Sequence, residues 1–456
     1  MRARHGPDKG CWTASVEHGP HWAMRTWPLS PTRRTVLAGL GGAALAAWLR
    51  PAAGQSRPAL ALRLRPGTAT LRPGAPDSTI GRLDGGATEV LRFAQGDAVQ
   101  ITVSNELSAP TLLNWLGIDG VRDAAALAGP APLASGGRAA FALPLHQTGT
   151  FLLAADPLGD GGPPCSARAL VVAERAGTTV DRDEVLLIEE WRLSSDGRPI
   201  APGRDAAGTA AIYTVNGRSS LDIAARVNER LRLRVLNASP RTPVGLAIEN
   251  HDVRVITIDS QPAEPFMARD GRIVLAPGAR VDAVIDATRA PGTISSIMLH
   301  DGGPPRPLAR IVMSDAAPVR PAPLPPAEPL PAPDLPARLD LKGALRVALT
   351  LTPATPWLPP AEAATPAFRA PRGRTVVLAL ANPTAAPVAF RLNGHHMRLL
   401  DRLDDGWKPF WLDTLLVGAR QTERVAFKAE HTGRWLMEAT ALGWAAPKLA
   451  QGYAVD

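Results

Sequence analysis

The sequence is poor in lysine, cysteine and tyrosine. Only five of its 50 basic residues are lysines, and 456 residues include two cysteines and two tyrosines. Cys11 lies before an apparent export signal and Cys165 lies after it, so the mature chain has one thiol and no internal disulfide. Packing must therefore stabilise the fold without a covalent cross-link.

A clustered basic surface is also missing from the body of the chain. The formal net charge is +8, but residues 1–50 hold seven basic and two acidic residues and so contribute +5 of it. The remaining +3 is spread along the chain without a basic run. Nucleic-acid binding needs a concentrated basic face, so we expect no nucleic-acid partner.

Long helical periodicity is absent after residue 55. Short apolar runs alternate with polar residues and are interrupted by Gly, Pro, Asn and Asp, a pattern typical of β-strands. A chain of 456 residues is too long for one core and suggests about three domains. The sequence therefore predicts an all-β protein of several domains.

The N-terminus has the three parts of an export signal in order. Arg33 and Arg34 precede an apolar run at residues 38–48, and small residues follow at 52–55. The pattern predicts twin-arginine export to the periplasm. The run is shorter than the roughly 20 residues that a membrane span needs, so we expect no transmembrane span in the mature chain. Met24 is a second possible start.

Two short patterns recur three times at domain spacing. The first is an alternating strand that closes with an asparagine, at Asn105, Asn237 and Asn382, which lie 132 and 145 residues apart. The second is a turn glycine followed one strand later by another glycine: Gly136 and Gly149, Gly278 and Gly292, Gly418 and Gly433. The repeats predict an N-terminal extension and signal (1–55), β-sandwich domains at 56–175, 176–315 and 339–456, and a Pro-rich linker at 316–338.

Several segments also match, in order, the framework of one family. They are residues 111–117, 119–120, 149–151, 190–191, 215–217, 234–238, 248–259, 276–282, 390–395 and 413–414. Through these segments the chain resembles the three-domain multicopper oxidases. The resemblance implies three consecutive cupredoxin-like Greek-key β-sandwich domains, and in the family it also implies copper.

The positions that correspond to the family's copper ligands hold other residue types. The His-Trp-His-Gly motif, for example, reads Asn114-Trp115-Leu116-Gly117 here. The twelve positions are Asn114, Leu116, Ala154, Asp156, Val388, Arg391, Asn393, Glu438, Ala439, Thr440, Trp444 and Leu449. We therefore predict no catalytic residue, no metal ligand and no bound cofactor, and copper is expected from the resemblance alone.

A histidine count agrees with this. The resemblance implies ten histidine ligands, whereas residues after 55 include six histidines: His146, His251, His300, His395, His396 and His431. A mononuclear blue-copper site needs two His and a Cys, and no histidine closely follows Cys165. Adjacent strand residues point to opposite faces, so we expect one packed and one solvated imidazole at 395–396. His251 is predicted to be structural, and His300 and His431 to lie at the surface.

The resemblance places eight of the twelve positions between domains one and three. Arg391 could pair there with Asp156, Glu438 or both and act as an interdomain clamp, because a guanidinium satisfies carboxylates well. Two alternatives stay open. The groups could be solvated in a relaxed cleft, or the paired carboxylates could support hydrolytic or hard-metal chemistry.

These features predict an exported, copper-free and non-catalytic binding or scaffold protein of the periplasm or cell envelope. It would be similar in kind to the cell-division protein FtsP (SufI), with protein partners in the envelope and a monomeric state. One alternative is a divergent multicopper oxidase-type oxidoreductase that holds copper or another metal through ligands not recognised in the sequence. Another is a chaperone or carrier.

Overall fold

A computed structural model describes residues 58–86, 88–125, 131–159, 162–174, 179–352, 365–401, 406, 408–446 and 448–456. The predicted export signal lies outside these ranges. Strands dominate the described part, and its two short 3-10 turns are Arg122–Ala124 and Arg269–Gly271. Within these ranges no helix has the length and apolar character that a membrane crossing requires.

The first sandwich has eight strands in two four-stranded sheets. They are β1 (Ala59–Ala69), β2 (Ser78–Asp84), β3 (Leu91–Ala94), β4 (Ala98–Asn105), β5 (Thr111–Leu116), β6 (Arg138–Pro144), β7 (Gly149–Pro157) and β8 (Arg168–Ala173). The sheet orders are β2-β1-β4-β6 and β3-β8-β7-β5. On β1 the alternate residues Leu60, Leu62 and Leu64 point into the core, and each buried leucine stabilises the fold by about 1.5–3 kcal/mol.

The second sandwich is larger. Its strands are β9 (Arg182–Trp191), β10 (Ile212–Val215), β11 (Leu221–Ala225), β12 (Glu229–Asn237), β13 (Val244–Ile248), β14 (Arg254–Ile258), β15 (Gln261–Met267), β16 (Arg272–Leu275), β17 (Arg280–Ala287), β18 (Ile294–His300) and β19 (Arg306–Met313). They form sheets of order β10-β9-β12-β17-β14-β15 and β11-β19-β18-β13-β16 around their own apolar core.

The third sandwich contains the remaining strands. They are β20 (Leu345–Thr350), β21 (Arg369–Ala370), β22 (Thr375–Asn382), β23 (Val388–Leu392), β24 (Arg398–Leu399), β25 (Thr414–Val417), β26 (Gln421–Lys428), β27 (Gly433–Ala441) and β28 (Lys448–Val455). The orders are β20-β22-β26-β24 and β21-β28-β27-β23-β25, again around a separate core. The described part of the chain is thus all-β, as predicted.

The repeated asparagines perform one structural task in all three sandwiches. Asn105, Asn237 and Asn382 end β4, β12 and β22, and their side chains are buried. In each case Nδ2 donates to two carbonyls of the segment that leads into the antiparallel neighbouring strand (β6, β17 or β26), and Oδ1 accepts from the backbone N–H two residues on. The two repeated sequence patterns therefore meet through one buried amide, which satisfies turn carbonyls that would otherwise be unpaired.

The Pro-rich linker is held against the second sandwich. Arg226 and Arg230 donate from their guanidinium groups to linker carbonyls at Ala317 and Leu324. Ala327 and Leu330 are buried in a small apolar cluster with residues of that sandwich. Tethering of this kind gives an extended proline-rich segment a fixed course.

Candidate functional site

A buried charged network joins the three sandwiches. His396 of the third sandwich donates from Nδ1 to Oδ2 of Asp119 in the first, at 2.6 Å. Its Nε2 donates to the backbone oxygen of Asp259 in the second, at 2.7 Å. Arg280 of the second sandwich makes two hydrogen bonds to Asp413 of the third, at 2.6 and 3.0 Å. We call these five residues the junction network.

The junction network shifts the pKa values of its members in opposite directions. Burial alone would lower the pKa of His396, but the Asp119 carboxylate raises it to about 9, so the imidazole is charged at neutral pH. Burial and the neighbouring Asp413 carboxylate raise the pKa of Asp259 to about 6. For Asp413 itself burial acts upward, but Arg280 and His396 outweigh it and lower the pKa to about 2.

The prediction for the adjacent histidines was wrong. His395 and His396 are both buried, and they follow β23 in a bend rather than on a strand. Nδ1 of His395 bonds the Tyr453 hydroxyl at 2.7 Å, and its Nε2 accepts from the backbone N–H of His431. The bend forms because Gly394 adopts a positive φ of 83° and packs against the Trp435 ring, where a Cβ atom would lie 2.2 Å from a ring carbon.

The other predicted histidine positions are half-buried or buried. His431 is half-buried, with its ring centre 5.0 Å from that of His395, so it reaches the surface only in part. His300 is also half-buried, at the end of β18. His251 is buried and its Nδ1 contacts the backbone oxygen of Glu249.

A cavity of about 350 Å³ lies next to the junction network, and all three sandwiches line it. Eight of the twelve ligand-equivalent positions are on its wall: Asn114, Leu116, Ala154, Asp156, Arg391, Glu438, Thr440 and Trp444. The other four are elsewhere. Val388 and Ala439 are in the core of the third sandwich, Leu449 packs against that core, and Asn393 donates to Glu438 from behind the wall.

Ion pairs cover one side of this cavity. Arg391 lies directly opposite Glu438 on the neighbouring strand and donates to it at 3.3 Å. Lys448 contacts Glu438 at 2.9 Å and Asp156 at 3.2 Å. The Arg391–Glu438 pair lies within the third sandwich. The links to the first and second sandwiches are Lys448 to Asp156, and Arg391 Nη2 to the Pro277 carbonyl oxygen at 2.7 Å.

These cations hold the Glu438 carboxylate ionised. Burial would raise the pKa of Glu438, but Lys448 and Arg391 lower it to about 2. Burial would in turn lower the pKa of Lys448, and the Asp156 and Glu438 carboxylates outweigh that and raise it. The sequence reasoning did not single out Lys448. The one feature of Lys448 that the sequence shows is its rarity, since the chain has five lysines.

Another part of the cavity wall contains polar residues that the sequence reasoning also missed. Glu189 is buried, and burial raises its pKa to about 7 despite a hydrogen bond from the Ala167 N–H. Glu190 next to it accepts from Arg192 at 2.7 Å through Oε1. Arg241 is buried on the same wall and donates to the Ala446 carbonyl oxygen. Only Glu190 lay in a segment that had matched the framework.

The residues at the ligand-equivalent positions do not suit the copper that the resemblance implies. Copper sites in proteins are built from imidazole, thiolate and thioether groups. The ligand-equivalent positions provide amide, hydroxyl, carboxylate and guanidinium groups instead, and a guanidinium cannot ligate a cation. Across the described residues no three His, Cys, Asp or Glu side chains are grouped so as to hold a metal ion.

Comparisons with known proteins give the family. Two multicopper oxidase family models match residues 185–296 and 332–456, which together are about half of the chain. Laccase-3 of Thanatephorus cucumeris is 27% identical over 246 residues, covering 48% of this chain and 42% of that protein. The multicopper oxidase MmcO of Mycobacterium tuberculosis is 24% identical over 268 residues, covering 50% and 51%. The alignments thus span about half the length of these relatives.

Solved structures agree on the fold. Lac15 from a marine microbial metagenome superposes with a TM-score of 0.72 at 24% identity, covering 88% of this chain and 100% of that one. A multi-copper oxidase from Pseudomonas thermotolerans gives 0.73 at 22% identity, covering 87% and 99%. These likenesses confirm the cupredoxin-like architecture predicted from the sequence. The chain belongs to the multicopper oxidase family.

Proposed function

We propose that this protein is an exported, copper-free member of its family that acts as a non-catalytic binding or scaffold protein of the cell envelope. The observation that carries the proposal is the ion-pair network of Arg391, Lys448, Glu438 and Asp156 at the cavity. The two cationic side chains would repel a copper ion, and they already neutralise the two carboxylates beside them. The role is similar in kind to that of the cell-division protein FtsP (SufI).

The test is copper stoichiometry and oxidase activity of the exported protein. Purified protein is incubated with Cu(II) and, separately, with Cu(I) under reducing conditions, then desalted and measured by elemental mass spectrometry. MmcO, treated in parallel, serves as the positive control for copper loading. We expect less than one copper per chain and no oxidation of a phenol or of Cu(I). Three or four tightly bound coppers per chain would overturn the proposal.

Weak surface binding needs its own control. His146 is exposed and His300 is half-buried, and both lie outside the cavity lining. A His146→Gln, His300→Gln variant should lose any loosely bound copper while keeping its fold. Copper that survives these substitutions and supports turnover would favour the second candidate, a divergent oxidoreductase. The names of the relatives, laccases and multicopper oxidases, are the observation behind that candidate.

The partner is proposed to be another envelope protein, with this chain acting as a monomer. Affinity capture from periplasm under mild conditions, followed by reciprocal capture with the recovered protein, tests this. If no partner is recovered reproducibly and the protein is also inactive as an oxidase, the scaffold role is refuted.

A further inference from the structure

Part of the cavity wall is not used by the ion pairs among Arg391, Lys448, Glu438 and Asp156. The cavity volume, about 350 Å³, falls within the range of about 300–1,000 Å³ that is usual for small-molecule sites. The side chains of Asp156 and Lys448 at its edge are 47% and 31% exposed, so the cavity communicates with solvent there. Apolar side chains line its floor, including Leu112, Leu116 and Leu152.

Polar atoms on this wall lack hydrogen-bond partners within the part of the chain that the structure describes. They are Asn114 Oδ1, Glu190 Oε2, Ser239 Oγ and Trp444 Nε1, each in a residue that is at least nine-tenths buried. Buried polar atoms in folded proteins are almost always paired, and an unpaired one calls for an explanation such as strain, a catalytic role or a bound water, ion or ligand. A polar molecule bound in the cavity would provide hydrogen-bond partners for these four atoms.

The charges on the wall favour an anionic group on that molecule. Arg391 and Lys448 are paired with Glu438, and Arg192 is paired with Glu190. Arg241 is buried and donates only to two backbone carbonyls, with no carboxylate within 4 Å among the described residues. Burial lowers the pKa of Arg241, and the carboxylates of Asp156 and Glu438, which make no ion pair with it, only partly offset this.

We propose that the cavity binds a small organic acid, with its carboxylate on Arg241, a hydroxyl or ammonium group on Asn114 and Glu190, and an apolar body against Leu116 and Leu152. This inference rests on the proposed copper-free function, because the ligand would occupy the region that the family resemblance assigns to metal. A guanidinium recognises a carboxylate by paired charge-assisted hydrogen bonds. The acceptors Asn114 Oδ1 and Glu190 Oε2 require a donor on the ligand.

Titration calorimetry on the purified full chain tests the chemistry. The probes are phenyllactate, mandelate and phenylalanine, each compared with its methyl ester. We expect at least one acid to bind, and its ester to bind about ten- to a hundredfold more weakly because the charge-assisted contact with Arg241 is lost. Equal binding of acid and ester, or no binding of any of the three acids, would overturn the inference.

Variants locate the site. Arg241→Gln should abolish the preference for acid over ester, and Asn114→Leu should weaken acid binding about tenfold. Oδ1 of Asn114 has no hydrogen-bond partner among the described residues, so Asn114→Leu should keep the fold even if Arg241→Gln does not. Arg310→Gln, in an exposed pair with Asp222, is the matched control and should bind like the wild type. Wild-type affinity in both cavity variants would refute the location.

Copper content, measured on the same preparation, separates this inference from the function that it rests on. If the protein is copper-free and binds none of the three acids, the ligand inference fails and the proposed function stands. If the protein holds stoichiometric copper, the proposed function and the ligand inference both fail. A copper-free protein that binds an acid through Arg241 supports both.

Discussion

His396 provides the sharpest test of how the three sandwiches are held together. Its charged imidazole is fully buried and bridges Asp119 of the first sandwich to the Asp259 backbone of the second. Replacing it by glutamine removes the charge and leaves the Asp119 carboxylate buried without its cation. Breaking a buried pair in this way typically costs about 3–5 kcal/mol. We expect His396→Gln to lower the free energy of unfolding by that amount at pH 6.5.

The pKa of His396 gives the same magnitude by a separate route. A rise from 6.5 to about 9 on folding corresponds to about 3 kcal/mol of stability from the charged form. A raised pKa means that the folded state holds the proton more tightly. The contribution is therefore complete below pH 6.5 and is lost as the pH rises through 9. Across this window the wild type should lose about 3 kcal/mol more than His396→Gln, because groups such as Glu189 titrate alike in both proteins.

Urea unfolding followed by tryptophan fluorescence, at half-unit steps from pH 6.5 to 9, measures both effects. The exposed His146→Gln serves as the surface control and should track the wild type. Asp119→Asn and the double variant complete a cycle in which the two substitutions should be strongly non-additive. An equal loss in His396→Gln at pH 6.5 and pH 9, or a loss below about 1 kcal/mol at pH 6.5, would refute a charged bridge.

Other substitutions test the cavity and the export signal. Lys448→Met should cost about 1 kcal/mol at pH 7, because the lysine is partly exposed. That cost should vanish near pH 2, since the lowered pKa of Glu438 means its stabilisation is lost as the pH falls from 4.5 to about 2. Glu189→Gln should raise stability by up to about 3 kcal/mol at pH 8 and leave it unchanged at pH 4, because the raised pKa of Glu189 makes its ionisation costly; an equal gain at both pH values would contradict this. Arg33→Lys with Arg34→Lys should retain the protein in the cytoplasm, as cell fractionation would show.

The repeated architecture could be predicted because each repeat has a local cause. Asn105, Asn237 and Asn382 each end a strand, and each side chain donates to a carbonyl oxygen of the following turn four or five residues on, so the residue type at these strand ends has a local cause. Alternation of leucines along β1 follows equally from the two faces of a strand. Features of this kind depend on residues close in sequence or on simple periodicity.

Pairing between side chains could not be predicted in the same way. Arg391 meets Glu438 because the register of β23 against β27 places them opposite each other. Lys448 reaches the same carboxylate because it pairs with Thr440, which puts it diagonally beside Glu438 on the neighbouring strand. Shifting either register by one residue would turn these groups to the other face. The sequence shows which charges are present, and the register decides which of them meet.

The junction network shows the same limit for contacts between sandwiches. Asp119, Asp259, Arg280 and Asp413 all lie in segments that matched the family framework, yet nothing in their spacing shows that they converge. The bend at Gly394 is the missing element, because it turns His396 away from the alternation of a strand and toward Asp119 and Asp259.

The junction network holds the three sandwiches together by ordinary side chains, and none of its five residues lines the cavity. Both ring nitrogens of His396 are hydrogen-bonded, whereas the buried Oδ1 of Asn114 on the cavity wall has no partner among the described residues. An unpaired buried amide costs about 1–3 kcal/mol, so a wall that served stability alone would favour leucine at this position. We therefore expect Asn114→Leu to raise the free energy of unfolding by about 1 kcal/mol while weakening phenyllactate binding. His396→Gln should do the reverse, lowering stability without changing the affinity of the folded protein for the acid. Parallel loss of stability and binding in both variants would show that the junction and the cavity are one unit.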